Sequence, residues 1–327
     1  MKRGLRQAMR GLCAAAAVLP VAAALPAKAD WPERPLTMIV IAGPGGGSDY
    51  TMRLLAREME ADLKQPITIV NQAQGSGVVG MTNYTRAKPD GYTLGQLSPF
   101  AQYRIAGQGD FTPRSFTPIA QFNADPAAIH VAQDSPLKSV NDVLARLKAD
   151  PTSLKISCGG GCNASWDIPF LSLLMDNGID VSKVNMIPAP GSAAGLQELA
   201  SGGVDVVLCS LPETDALATA GRVRSIGVMD EKRLERYPTV PTVGEQVGRP
   251  YVGGTWRAVG GPAGIDPAVA KRLEAAVRRA YDSPNFQDGM KQRGFGAVWR
   301  GSAELAAFLE EHDAMTARVM QAVAAKN

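Results

Sequence analysis

The sequence predicts an α/β protein of two lobes, each a sheet with helices packed on it. Three observations predict this class. Strand-like runs alternate with helix-like runs along the chain, the pattern of β-α-β units and mainly parallel sheets. Several junctions from strand to helix carry glycine, which lets the backbone turn tightly there. With 327 residues, the chain is long enough for two cores, and its 45% hydrophobic content can fill them.

The elements follow in order. Lys2, Arg3, Arg6 and Arg10 precede an apolar stretch, Gly11–Leu25, and Ala27-Lys28-Ala29 reads as a cleavage site. That is the form of a secretory signal over residues 1–29, with an N-terminal membrane anchor as the alternative. Cys13 stands at the start of the apolar stretch rather than at the cleavage point, which argues against a lipid anchor. Without the signal, the chain carries 29 basic and 31 acidic residues. A nucleic-acid partner would need a basic face, and none is visible.

Leu36–Ala42 reads as a strand, Asp49–Leu63 as a helix and Ile67–Val70 as a strand. Gly75–Arg86 is a glycine-started helix and Tyr92–Leu97 a third strand. A proline-rich boundary follows at Pro113, Pro118 and Pro126, and Ile129–Ala132 begins a second unit. That unit holds helices at Val140–Ala149, Trp166–Asn177 and Ala193–Ser201, with Ser139 as the N-cap of the first. Its strands are Leu154–Ser157, Val184–Ile187, Val204–Cys209 and Ser225–Met229. After Pro-rich Tyr237–Pro250 come a strand near Thr255–Val259 and a helix opened by Asp266-Pro267. Ser302 caps a long last helix with Leu305, Phe308, Leu309, Met315 and Val319 on its apolar face.

Ligands in such sheets sit beyond the carboxyl ends of the strands. Three loops have that position. Gly45-Gly46-Gly47-Ser48-Asp49 offers backbone N–H groups and a helix N-terminus to an anion without any basic side chain. Asp49 fits helix capping better than anion contact. The second loop, Cys158 to Ser165, offers Asn163, Ala164 and Ser165 at a helix start. The third, Gly191-Ser192-Ala193, has Ser192 as a natural N-cap. The competing accounts are a packing turn for the first loop, a flexible glycine linker for the second and helix capping alone for the third. Ser98 and Ser210 follow strands and add hydroxyls. Arg257 could grip a carboxylate bidentately, or serve in a structural ion pair.

Other chemistry finds little footing. The first loop lacks the lysine of a nucleotide P-loop. Gly75-Ser-Gly77-Val-Val-Gly80 matches a dinucleotide fingerprint, but no acid ends the next strand, so no cofactor is expected. Neither His130 nor His312 stands near a serine in a recognisable arrangement, and no nucleophile elbow is present. Cys158 and Cys162 could close a disulfide, remain thiols, or join a metal site; only the two histidines could complete a zinc site, and no metal is expected. Cys209 reads as a buried strand residue.

Taken together, the motifs resemble the extracytoplasmic solute receptors of tripartite tricarboxylate transporters, the Bug-type, TctC-like family. The likeness covers nearly all of Trp31–Val323. Its marks are Trp31-Pro-x-x-Pro35, the Gly-Gly-Gly-Ser-Asp49 loop, Gln65-Pro-Ile-Thr-Ile-Val-Asn71 and Lys88-Pro-Asp-Gly-Tyr-Thr-Leu94. Tyr237-Pro-Thr-Val-Pro-Thr-Val-Gly-Glu245 and Gly261-Pro-Ala-Gly264 complete the set. The resemblance implies a type II periplasmic-binding-protein fold, two Rossmann-like lobes joined by two crossover segments. The lobes would be 30–125 with 254–327, and 126–253. It implies a monomeric, non-enzymatic periplasmic receptor that holds a small carboxylate and delivers it to membrane permease subunits. An exported hydrolase, or a sensor for a membrane partner, is the alternative. The implied site is Gly45–Asp49, Cys158–Ser165 and Gly191–Ala193. The chain departs from the family pattern at Cys158, Cys162, Trp166, Ala189-Pro190, Cys209-Ser210 and Arg257, so no particular ligand carries over.

Overall fold

Strands and helices alternate through a computed structural model that describes residues 31–105, 107–162 and 165–324. The expected export signal over residues 1–29, together with Asn163 and Ala164, lies outside the described residues. The strands are β1 (Leu36–Val40), β2 (Ile67–Asn71), β3 (Thr93–Leu97), β4 (Phe116–Pro126), β5 (Ala128–Ala132), β6 (Lys155–Ser157), β7 (Asn185–Ile187), β8 (Val206–Cys209), β9 (Val223–Val228), β10 (Gly254–Pro262) and β11 (Ala297–Arg300). They form two sheets, ordered β11-β4-β10-β3-β1-β2 and β7-β6-β8-β5-β9.

The chain crosses between sheets twice, after Pro126 and before Gly254. At the crossing, Ala127 N–H donates to Gly253 C=O at 2.8 Å and Met229 N–H to Ala127 C=O at 2.7 Å. Gly254 has no alternative here, since a Cβ would stand 2.1 Å from the Asp125 carbonyl oxygen.

The expectation of mainly parallel sheets needs correction. β1 pairs in parallel with β2 and β3, and β6 with β7 and β8. The pairings of β10 with β3 and β4, β11 with β4, and β5 with β8 and β9 are antiparallel. The strands that follow each crossing, β5 and β10, enter their sheets against the direction of the β-α-β units, which makes both sheets mixed.

β4 lies where the sequence shows only a proline-rich boundary. Pro118 is tolerated because β11 reaches only Gln121 and Asn123, leaving the β4 flank at Pro118 unpaired on that side. The helix Pro284–Arg293 and β11 also escape the sequence pattern.

Each sheet buries its own apolar cluster. Leu36, Met38, Val40, Met52, Leu55, Met59, Phe122 and Leu273 are in one. Ile129, Val131, Leu144, Phe170, Leu174, Leu199 and Val207 are in the other. A further cluster, with Tyr84, Phe116 and Trp256, packs Leu305 and Leu309 of the last helix, Ser302–Ala324. Met315 of that helix is exposed, and the side chain of Val319 lies outside the description. Ser139 and Asp266 accept hydrogen bonds from Asp142 N–H and Ala268 N–H, as N-caps do. Ser302 is instead the first residue of its helix, and its hydroxyl donates to Pro118 C=O.

Candidate functional site

Three glycine-bearing loops that lead from strands into helices meet between the two sheets. The helix Gly47–Leu63 begins after β1, Asp167–Asp176 after β6, and Ser192–Ser201 after β7. They surround a cavity of about 90 Å³. Gly46, Gly47, Ser48, Ser98, Ser165, Gly191, Ser192 and Arg257 line it. Gly159–Gly161, within the expected second loop, line it as well, and so do Ser76, Gln96, Glu213 and Thr255, which the sequence reading missed.

The remaining expected residues that are described stand elsewhere. Asp49 faces back into its own loop: its carboxylate accepts from Gly45 N–H at 3.1 Å, Arg53 Nε at 2.9 Å and Asn71 Nδ2 at 2.9 Å. Gly45, Asp49, Cys158 and Ala193 do not line the cavity. Ser210 lines a larger hollow of about 600 Å³ beside the crossovers. That hollow holds Trp256, Phe308, His312 and Met315 but none of the three glycine-bearing loops.

Ser192 does not cap its helix. Gly191 holds the cap position, and the Ser192 hydroxyl donates to Glu213 Oε1 at 2.5 Å. The pull of a buried carboxylate outweighs a local cap because charged acceptors make the stronger bond.

Arg257 is 1% exposed, and its Nε and Nη1 groups already donate within the protein. Nη1 pairs with Asp125 Oδ2 at 2.6 Å and bonds to Asn123 Oδ1; Nε donates to Ser48 Oγ at 3.0 Å; Nη2 lies 3.7 Å from Glu213 Oε1. The structural ion pair, one of the two readings of this residue, is therefore present. Burial pushes the Asp125 carboxyl above its ordinary range; Arg257, Gly296 N–H and Asn123 pull it back, and Glu213 adds to the rise. Gln96 Nε2 donates to Ser48 Oγ at 3.0 Å, while its Oε1 is buried without a partner.

Glycine here serves approach as well as turning. Gly43 N–H donates to Pro190 C=O at 2.6 Å, linking the loop after β1 to the loop after β7. A Cβ on Gly161 would stand 2.4 Å from Ser76 Cβ. The loops of the two sheets thus touch at backbone distance. Gly75 and Gly77 have φ of 60° and 96°, and Gly80 packs on Gln72. The Gly75–Gly80 motif is a glycine-permitted helix start at the cavity's edge.

Cys158 and Cys162 form a disulfide across the second loop, with Cα atoms 5.1 Å apart. Their sulfurs lie near Asp167, but a disulfide offers no thiolate to a metal. Cys209 is buried and free, and burial raises its thiol well above the ordinary range. His130 is fully buried between Ser225 Oγ at 2.9 Å from Nδ1 and Cys209 C=O at 3.1 Å from Nε2. A carbonyl only accepts, so Nε2 carries the proton and Nδ1 accepts from the serine. Burial lowers its pKa to about 4, and that of His312 likewise. Neither histidine lines the 90 Å³ cavity.

Among the described residues, no helix is long and apolar enough to cross a membrane. Among known proteins, BugT of Bordetella pertussis is 25% identical over 316 residues, covering 93% of this chain and 94% of that protein. A protein from the tcbD-tcbE intergenic region of Pseudomonas sp. strain P51 is 28% identical over 271 residues, 81% of this chain and 79% of that one. A ligand-free TctC solute-binding protein from Polaromonas is 27% identical with a TM-score of 0.64, covering 89% of this chain and 99% of that one. The periplasmic binding protein BugD shares the fold at TM-score 0.81 and 24% identity, covering 90% and 99%. The family described as "Tripartite tricarboxylate transporter family receptor" matches residues 51–325, and the chain belongs to this family of solute-binding receptors.

Proposed function

We propose that this protein is an exported, periplasmic receptor that captures a small organic carboxylate and presents it to membrane permease subunits, without catalysis. The lobes are taken as 30–125 with 254–327, and 126–253. They would close on the ligand as a monomer, by motion about the Ala127, Met229 and Gly253 crossing. One observation carries the reading: three glycine-bearing strand-to-helix loops from both sheets converge on one cavity, two of them bringing the first residues of their helices, Gly47 and Ser192, to its wall. First-turn amides of a helix have no partner within it, and its dipole favours negative charge. Four or five hydrogen bonds to a charged ligand, at roughly 1.5–3 kcal/mol each, are enough for micromolar binding after ordering costs. Two Rhodopseudomonas palustris proteins of the same fold, 24% identical to this chain, were solved with malate and with adipate.

A thermal-shift screen of mono-, di- and aromatic carboxylates tests the proposal, followed by calorimetry on the hits. One or more acids should bind at micromolar Kd while amines and neutral sugars do not. Hydrolysis of carboxylic esters or amides by the purified protein would favour the hydrolase instead. Secretion of a reporter fused to residues 1–29 tests export.

A further inference from the structure

A carboxylate already occupies the place where a ligand's would bind. Glu213 lies on the turn Leu211–Thr214 after β8, and its side chain is 4% exposed. Its Oε1 accepts from Gly47 N–H at 2.8 Å and Ser192 Oγ at 2.5 Å, and faces Arg257 Nη2 at 3.7 Å. Its Oε2 accepts from Ser210 N–H at 3.1 Å and Ser210 Oγ at 3.0 Å. Gly47 opens the 17-residue helix Gly47–Leu63. Gly47 and Arg257 belong to the half built on the first sheet; Ser192, Ser210 and Glu213 belong to the other. A Cβ on Gly47 would stand 2.6 Å from both Glu213 Oε1 and Arg257 Nη2, so the glycine is what admits the contact.

We propose that Glu213 is an internal competitor for the ligand: it fills the amide cradle at Gly47 in the empty closed protein and yields it to the ligand's carboxylate. This rests on the reading that an organic acid binds at these helix starts. Charge supports an exchange. Asp125 pairs with Arg257, so Arg257, Asp125 and Glu213 together carry one uncompensated negative charge. A second buried carboxylate beside a retained Glu213 would add another, which a low-dielectric site resists. If Glu213 swings out, the number of buried charges is unchanged. Leaving breaks its contacts with Gly47, Ser192 and Arg257, and its two bonds to Ser210, which lie within its own turn, are exchanged for water. Competition also sets specificity. A bare small anion replaces Glu213 without gain, while an acid whose body fills the rest of the cavity binds with surplus.

The test uses the exported chain with Glu213→Ala, which deletes a group of acetate's size and charge. The empty variant should be more open than wild type by small-angle scattering. Acetate at about ten times its Kd, against chloride at equal ionic strength, should close it and raise its Tm by about 2 °C, leaving wild type unmoved. Glu213→Gln, which keeps the shape without the charge, should bind succinate or benzoate more tightly than wild type does. Equal compactness of the empty forms, or an acetate effect that is absent or shared by wild type, overturns the proposal. Rescue by acetate with no organic acid binding wild type would keep the competitor and remove the receptor function. Acid binding to wild type without rescue would do the reverse.

Discussion

The guanidinium of Arg257 is held by Asp125, Asn123, Ser48 and Glu213, and this fixes what its loss does. Truncation leaves the Asp125 carboxylate buried without its cation. Arg257→Ala should therefore destabilise the protein by about 3–5 kcal/mol in urea unfolding, whatever its effect on ligand. A loss under about 1 kcal/mol would mean that water reaches the pair. Loss of binding in that variant is consequently not evidence of contact. His130 gives a pH dependence with a definite sign. Its folded pKa is about 4 and its ordinary value 6.5, so the unfolded chain binds more protons between the two. Stability should fall by about 3 kcal/mol as pH drops from 6.5 towards 4, with His312 adding in the same direction. Replacing His130 by Gln should flatten that slope; an unchanged slope would place the titration elsewhere.

At the scale of elements, the glycine loops carry two duties, and only one was legible in the sequence. Glycine before a helix announces free amides, so Gly46, Gly47, Gly191 and Ser192 were readable as one kind of site. That Gly43 and Gly161 bring opposite loops into contact depends on distant pairings no local pattern encodes. Glu213 escaped for the same reason: a Glu three residues after Ser210 reads as a capping box, which it is, while its other oxygen reaches across the cleft. β4 was hidden because proline usually breaks strands, and only the short reach of β11 makes Pro118 harmless. Gly161→Ala should push against Ser76 and hold the halves apart, giving a larger radius of gyration and weaker acid binding than wild type. Identical scattering would show that the loop yields locally. The Cys158–Cys162 disulfide closes a short loop, and chain entropy assigns it about 2 kcal/mol. Replacing both by Ser should lower stability by that amount in urea unfolding; a loss near zero would mean that the loop is ordered by its packing.

Across the whole molecule, two mixed sheets meet along crossovers near Ala127, Met229 and Gly253, and helix starts from both sides face one small cavity. The alternation of strands and helices made the class plain from sequence, while the antiparallel crossovers appear only once the sheets are assembled. The central claim is that the amides at these helix starts hold an organic anion. The most direct measurement is a crystal structure of the protein with the tightest acid found by screening. The account places a carboxylate oxygen about 2.7–3.2 Å from the N–H groups of the Gly46–Ser48 turn, with Glu213 moved out of the cradle. An acid seated instead in the 600 Å³ hollow beside Trp256, with Glu213 still on Gly47, would contradict it.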